Sequence, residues 1–173
     1  MQHIGCTKKL QKEMGLGVKD LVTFEPENSG LGPWTANLIF INRRKCILFV
    51  NDKTLFNFLV PDMLRQHIRE LDKMFRDWFS CTLAGEGFTL PQTDKILEEY
   101  ESIGYSKTRS RSVLGSMNDL VFMYKYELQS NSLHRWDFPE IIKKMNRTIV
   151  GAQRDYHYPV ERLFDIYHPL LFK

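Results

Sequence analysis

Two short basic segments are the residues of this chain best suited to chemistry. Arg43, Arg44 and Lys45 occupy consecutive positions between two apolar runs. A turn there lets their side chains fan outward toward a phosphate backbone or an acidic protein surface. The second segment, Lys107-Thr108-Arg109-Ser110-Arg111-Ser112, sets Lys107, Arg109 and Arg111 just ahead of an expected helix start, where backbone N–H groups already favour an anion. Guanidinium groups and hydroxyls together make a phosphate-binding surface. Each segment also has a plainer reading, as the solvated charge of a turn and of a loop. Whether the two lie together in space decides how much weight they carry as a polyanion site.

A second set of polar residues is smaller. Asn51 and Asp52 fall in the next polar break after Lys45, and Ser116, Asn118 and Asp119 interrupt the apolar run SVLGSMNDLVF. Residues of this kind most often satisfy buried backbone groups, and the alternative is a polar site for a ligand or partner. Gly115 in a helix costs about 1 kcal/mol relative to alanine, which suggests close packing or ligand approach there. A metal-dependent hydrolase or nuclease would draw on Asp52, Asp119, Asp137 and Asp155, but their spacing defines no ligand set. The five histidines form no His-x-x-x-His or His-Glu-x-x-His arrangement. No Gly-x-Ser-x-Gly elbow or phosphate-binding Gly-x-x-x-x-Gly-Lys loop occurs. The sequence therefore assigns no catalytic residue, metal site or cofactor. Trp34 and Trp136 stand near expected element starts, where either a stacked base or the core would use them.

The positioning elements are set by hydrophobic spacing. A chain of 173 residues with 43% hydrophobic and 26% charged residues is expected to form one ordered domain over 1–173. The net charge of +3 is too small to mark a dedicated nucleic-acid binder without local clustering. Cys6, Cys46 and Cys81 are widely separated and odd in number, so reduced thiols are expected. With no signal-peptide hydrophobic region and no run of about 18 apolar residues, the reading is cytoplasmic, without a membrane partner.

From the N-terminus, Gln2 to Cys6 reads as a strand, and a short helix is capped by Thr7 and stopped at Gly15. Trp34 to Pro61 reads as three strands joined by tight turns at Asn42–Lys45 and Asn51–Thr54. These strands are apolar on both faces, so both must be covered, and a homodimer formed across the sheet is one way to do it. From Asp62 as N-cap, Leu64, Ile68, Leu71, Phe75 and Trp78 share one helical stripe that ends in a break over Ser80 to Phe88. Thr89 and Gln92 read as a capping box for a helix that points Ile96, Leu97, Tyr100 and Ile103 inward and closes at Gly104. A basic connector, Tyr105 to Ser112, then leads to a long helix over Ser112 to Gln129. Two short helices, Pro139 to Asn146 and Pro159 to Tyr167, complete the chain. The expected fold class is α+β: a small antiparallel sheet of about four strands from residues 1–60, packed against helices from 62–170.

The segments CTKKLQKEMG, WTANLIFINRRKCILFVNDKTLF and RSVLGSMNDL together resemble a bacterial family characterised only as a domain of unknown function. The resemblance implies a bacterial, cytosolic protein of one domain and carries over no catalytic residue, cofactor or substrate. The leading functional expectation is a non-enzymatic module whose basic surface, Arg43, Arg44, Lys45, Lys107, Arg109 and Arg111, engages nucleic acid or an acidic protein. A metal-dependent hydrolase and a homodimerisation or protein-interaction module are the alternatives.

Overall fold

The computed structural model describes residues 1–23, 25, 30–130, 137–151 and 157–171; Trp136 and Asp155 lie outside them. Five strands are present among these residues: β1 (Gln2–Cys6), β2 (Trp34–Ile41), β3 (Arg44–Asn51), β4 (Asn57–Val60) and β5 (Ile103–Lys107). They lie side by side in the order β4-β3-β2-β1-β5. The meander from β2 to β4 is antiparallel, as its turn residues demand. β1 runs parallel to both of its neighbours, β2 and β5. The fold is α+β, but the sheet is mixed and five-stranded rather than antiparallel with about four strands. The extra strand occupies residues that helical spacing assigned to a helix end and a connector. Its sequence, IGYSK, alternates large and small side chains with a period of two, and Gly104 lies inside it rather than closing a helix.

The helices are α1 (Lys8–Met14), α2 (Arg65–Arg69), α3 (Leu71–Gly85), α4 (Leu90–Leu97), α5 (Arg111–Ser130), α6 (Phe138–Met145) and α7 (Pro159–Leu171). Thr7 precedes α1, and Gly15 ends it at φ 74°, a conformation that glycine adopts without a Cβ penalty. The helix expected from Asp62 is two helices, α2 and α3, divided at Glu70. Asp62 sits at φ 53° and Leu64 is 58% exposed, so the buried stripe begins at Ile68. α3 then continues through the expected break as far as Gly85. The Thr89 N–H donates to Gln92 Oε1 at 2.7 Å at the start of α4, which ends at Leu97 and passes through a 3-10 turn into β5. Among the described residues no helix is long and apolar enough to cross a membrane.

Successive strand residues point to opposite faces, and the two faces take different helices. Trp34 packs edge-on against Phe75 and Phe79 of α3, with ring centroids 5.2 and 5.1 Å apart, and its indole N–H donates to Tyr100 Oη at 2.9 Å. α1 shares this face, since Lys9 stands over the Phe40 ring at 4.5 Å. On the face of Thr35 lies α5, whose Tyr124 hydroxyl donates to Asn57 Oδ1 at 2.8 Å. The β2 and β3 side chains on this face, among them Thr35, Ile39, Cys46, Leu48 and Val50, are buried within the single chain. No open apolar sheet face is left there for a homodimer. β4 is an outer strand, and Asn146, just after α6, finishes it: the Asn57 N–H donates to Asn146 Oδ1 at 2.8 Å and Asn146 Nδ2 donates to the Asn57 carbonyl at 2.7 Å. One side-chain amide thus pairs with the strand as the peptide of a sixth strand would.

Candidate functional site

The two basic segments behave differently once their neighbours are known. Between β2 and β3, Asn42 and Arg43 take φ of 48° and 65°, the left-handed pair needed by a two-residue hairpin turn whose twist matches the strands. Arg43 is exposed at the tip and makes no ion pair among the described residues. Its neighbours turn back on their own chain. The Arg44 guanidinium bridges Asp62 with N···O distances of 2.5 and 2.6 Å, and Lys45 pairs with Glu13 of α1.

The connector is built by β5. Lys107 lies across the parallel ladder from Cys6, and the chain then crosses over Gly5. A Cβ at Gly5 would stand 3.3 Å from the Lys107 carbonyl and 3.4 Å from Thr108 Cα, so glycine is what lets the crossing run this close. Ser110, rather than Ser112, caps α5: its Oγ accepts from the Val113 N–H at 3.2 Å and its carbonyl from Leu114 at 3.1 Å. Arg109 donates to Asp52 Oδ2 at 3.1 Å, while the Thr35 hydroxyl donates to Asp52 Oδ1 at 2.6 Å. Burial pushes the Asp52 carboxyl above its ordinary range, opposed by Thr35 and Arg109. Lys107 and Arg111 are exposed and make no ion pair among the described residues.

Of the six basic residues, Arg44, Lys45 and Arg109 are therefore engaged by the chain's own carboxylates, and Arg43, Lys107 and Arg111 project outward. Arg43 is seven residues beyond Ala36, the residue level with Lys107 through Cys6, roughly 20 Å along the strand direction. It does not join the other two. Lys107 instead neighbours the start of α1, because Cys6 is followed directly by Thr7 and Lys8. Lys8, Lys9 and Lys12 are exposed there. Thr7 turns its hydroxyl to Asn37 Oδ1 at 2.9 Å instead of capping α1. β1 and β5 are adjacent parallel strands whose following helices leave to opposite faces of the sheet. Between such helices, outside the carboxyl ends of the strands, a crevice opens where parallel sheets commonly bind ligands. In the sequence Lys8 marks only the polar face of a short helix; its place beside Lys107 depends on parallel pairing that no local pattern encodes.

The smaller polar set does not assemble. Asn51 is buried, accepting from Lys53 N, Thr54 N and Thr54 Oγ1 and donating to the Leu31 and Pro33 carbonyls at 2.9–3.2 Å. Its role is to close the turn after β3. Ser116 is buried, whereas Asn118 and Asp119 are exposed on α5. A Cβ at Gly115 would meet nothing within 4 Å, so this glycine serves no close packing. Among the described residues no three His, Cys, Asp or Glu side chains gather closely enough to hold a metal ion. A cleft of about 450 Å3 between α3 and α6, lined by Trp78, Cys81, Thr82, Ile142 and Lys143, contains none of the residues singled out from the sequence. Trp34 lies in the core.

No curated protein and no solved structure matches the chain. A family model described as a domain of unknown function, DUF6933, matches residues 3–162, nearly the whole of the fold described above. The chain belongs to the DUF6933 family.

Proposed function

We propose that the protein is a non-enzymatic binding module that engages nucleic acid or a similar polyanion at the carboxyl ends of β1 and β5. The observation that carries the reading is the gathering of exposed cations without an internal ion pair: Lys107 lies one ladder step from Cys6, beside Lys8, with Arg111 four residues on. Each cation that replaces a condensed counterion adds favourable entropy to binding, with a log–log salt slope of about −0.9 per phosphate on duplex DNA. The Arg44 and Lys45 charges add little, since Asp62 and Glu13 already neutralise them.

The test is fluorescence anisotropy with a short labelled duplex and its single strands across a salt series. Binding that weakens steeply with salt, and weakens again in Lys107→Glu/Arg111→Glu, supports the reading. Binding indifferent to both salt and these two charges removes it.

A further inference from the structure

α5 turns one long face to solvent, and that face carries aromatic residues the fold does not need. Its inner side places Val113, Met117, Leu120, Tyr124 and Leu128 in the core. On the outer side Phe122 is 73% and Tyr126 65% exposed. With Phe122 as centre, Gly115, Asn118, Asp119, Lys125 and Gln129 all fall within about 60° of it at about 100° per residue.

We infer that this face docks against the same face of a second copy, with the two α5 helices antiparallel about a two-fold axis beside Phe122. A symmetric contact must be complementary to itself, and the sequence around Phe122 is so in one orientation only. In the antiparallel arrangement, residues whose numbers are equidistant from 122 share a level. Asp119 of one copy then meets the level of Lys125 of the other, Asn118 that of Tyr126, and the small Gly115 that of the long Gln129. Asp119 also lies within about 1.5 Å of rise from Tyr126 of the second copy, whose phenol can donate to it. A parallel arrangement would set Asp119 against Asp119 and Lys125 against Lys125, at a cost in like-charge repulsion. Neither Asp119 nor Lys125 makes an ion pair among the described residues, so both charges are available. Aromatic side chains bury about 150–250 Å2 each, so two per copy supply part of the about 800 Å2 per partner of a standard interface. The dimer is accordingly weak, with dissociation in the micromolar range.

The dimer also sets a spacing. Arg111 lies eleven residues from Phe122, so the two copies of Arg111 are separated by twice eleven residues, about 33 Å at about 1.5 Å each. That is close to one turn of B-DNA, the roughly 34 Å that separates half-sites on one side of a duplex. This spacing rests on the polyanion reading; the dimer itself does not.

Sedimentation velocity of the full chain from about 1 to about 300 µM tests the inference in the range expected for such an interface. The expected result is a monomer giving way to a dimer, with Phe122→Asp weakening association at least about tenfold, as for a central aromatic anchor. Asp119→Lys and Lys125→Asp should each weaken it, and the double variant should recover most of the loss; circular dichroism checks that each variant is folded. A wild type that stays monomeric throughout, a dimer indifferent to Phe122→Asp, or a double variant no better than either single one overturns the inference. A dimer that binds no duplex leaves it standing and removes the polyanion reading. A strict monomer that binds duplex does the reverse.

Discussion

The hairpin turn at Arg43-Arg44-Lys45 and the connector from Lys107 to Arg111 have equal numbers of cations, yet they meet opposite fates. At the hairpin, Asp62 and Glu13 arrive from 18 and 32 residues away and absorb two of the three charges. At the connector only Arg109 is absorbed, by Asp52 from 57 residues away, and Lys107 and Arg111 remain outward. The difference lies in what stands opposite. The hairpin leans over α1 and the start of α2, both of which bring acidic side chains. The connector stands where helices diverge and backbone N–H groups gather. A run of like charge acquires meaning from its non-local counter-charges, and these are set by topology.

The largest expected effect separates the two regions directly. Lys107→Glu/Arg111→Glu should lower duplex affinity about a hundredfold at moderate salt, whereas Arg44→Ala/Lys45→Ala should change it less than about threefold. Equal losses in anisotropy titrations would erase the contrast. Arg109→Ala comes next, because it strips the partner from a carboxylate whose side chain is only 13% exposed. The expected cost is about 1–3 kcal/mol at neutral pH, read by urea unfolding. A carboxyl whose folded pKa is raised adds stability while protonated and loses it as pH rises. Burial already holds Asp52 above its ordinary range, and losing Arg109 raises it further. The Arg109→Ala deficit should therefore shrink as pH falls into the acid range, and a pH-independent deficit would mean that Arg109 acts through packing instead. Arg44→Ala/Lys45→Ala should cost at most about 1 kcal/mol per pair, since both bridges are partly solvated.

The smallest effect concerns access. Burial pushes the Cys6 thiol up to about 12, and Cys46 is also buried and raised, whereas Cys81 is exposed. At about pH 8, where thiolates are the reactive species, a thiol-counting reagent should therefore find one group in the folded protein and three after unfolding. Reaction at Cys6 in the native state would show that the crevice reaches deeper than the backbone indicates.

Much of the framework was legible in the sequence because its signals are local. The meander announced itself through apolar runs and two polar breaks, α1 through Thr7 and Gly15, and α5 through the recurrence of Val113, Met117, Leu120, Tyr124 and Leu128. β5 escaped because it is five residues long, includes Gly104, and follows a helix whose spacing ran on into Ile103. The parallel setting of β1 between β2 and β5 has no local signature at all. The same holds for the site. The basic residues were visible one by one, but their sorting into engaged and outward-facing sets depended on Glu13, Asp52 and Asp62, which are remote in sequence. Asn118 and Asp119 read as interior polar residues because their neighbours are apolar, yet the helical turn carries them to the surface.

The amide of Asn146 that completes β4 has a bearing on biosynthesis. It lies 89 residues after Asn57, so at about 5–20 residues per second a growing chain holds β4 without its final partner for roughly 4–18 s. During that interval the strand is an open template for pairing with other chains, and only the last quarter of the polypeptide closes it.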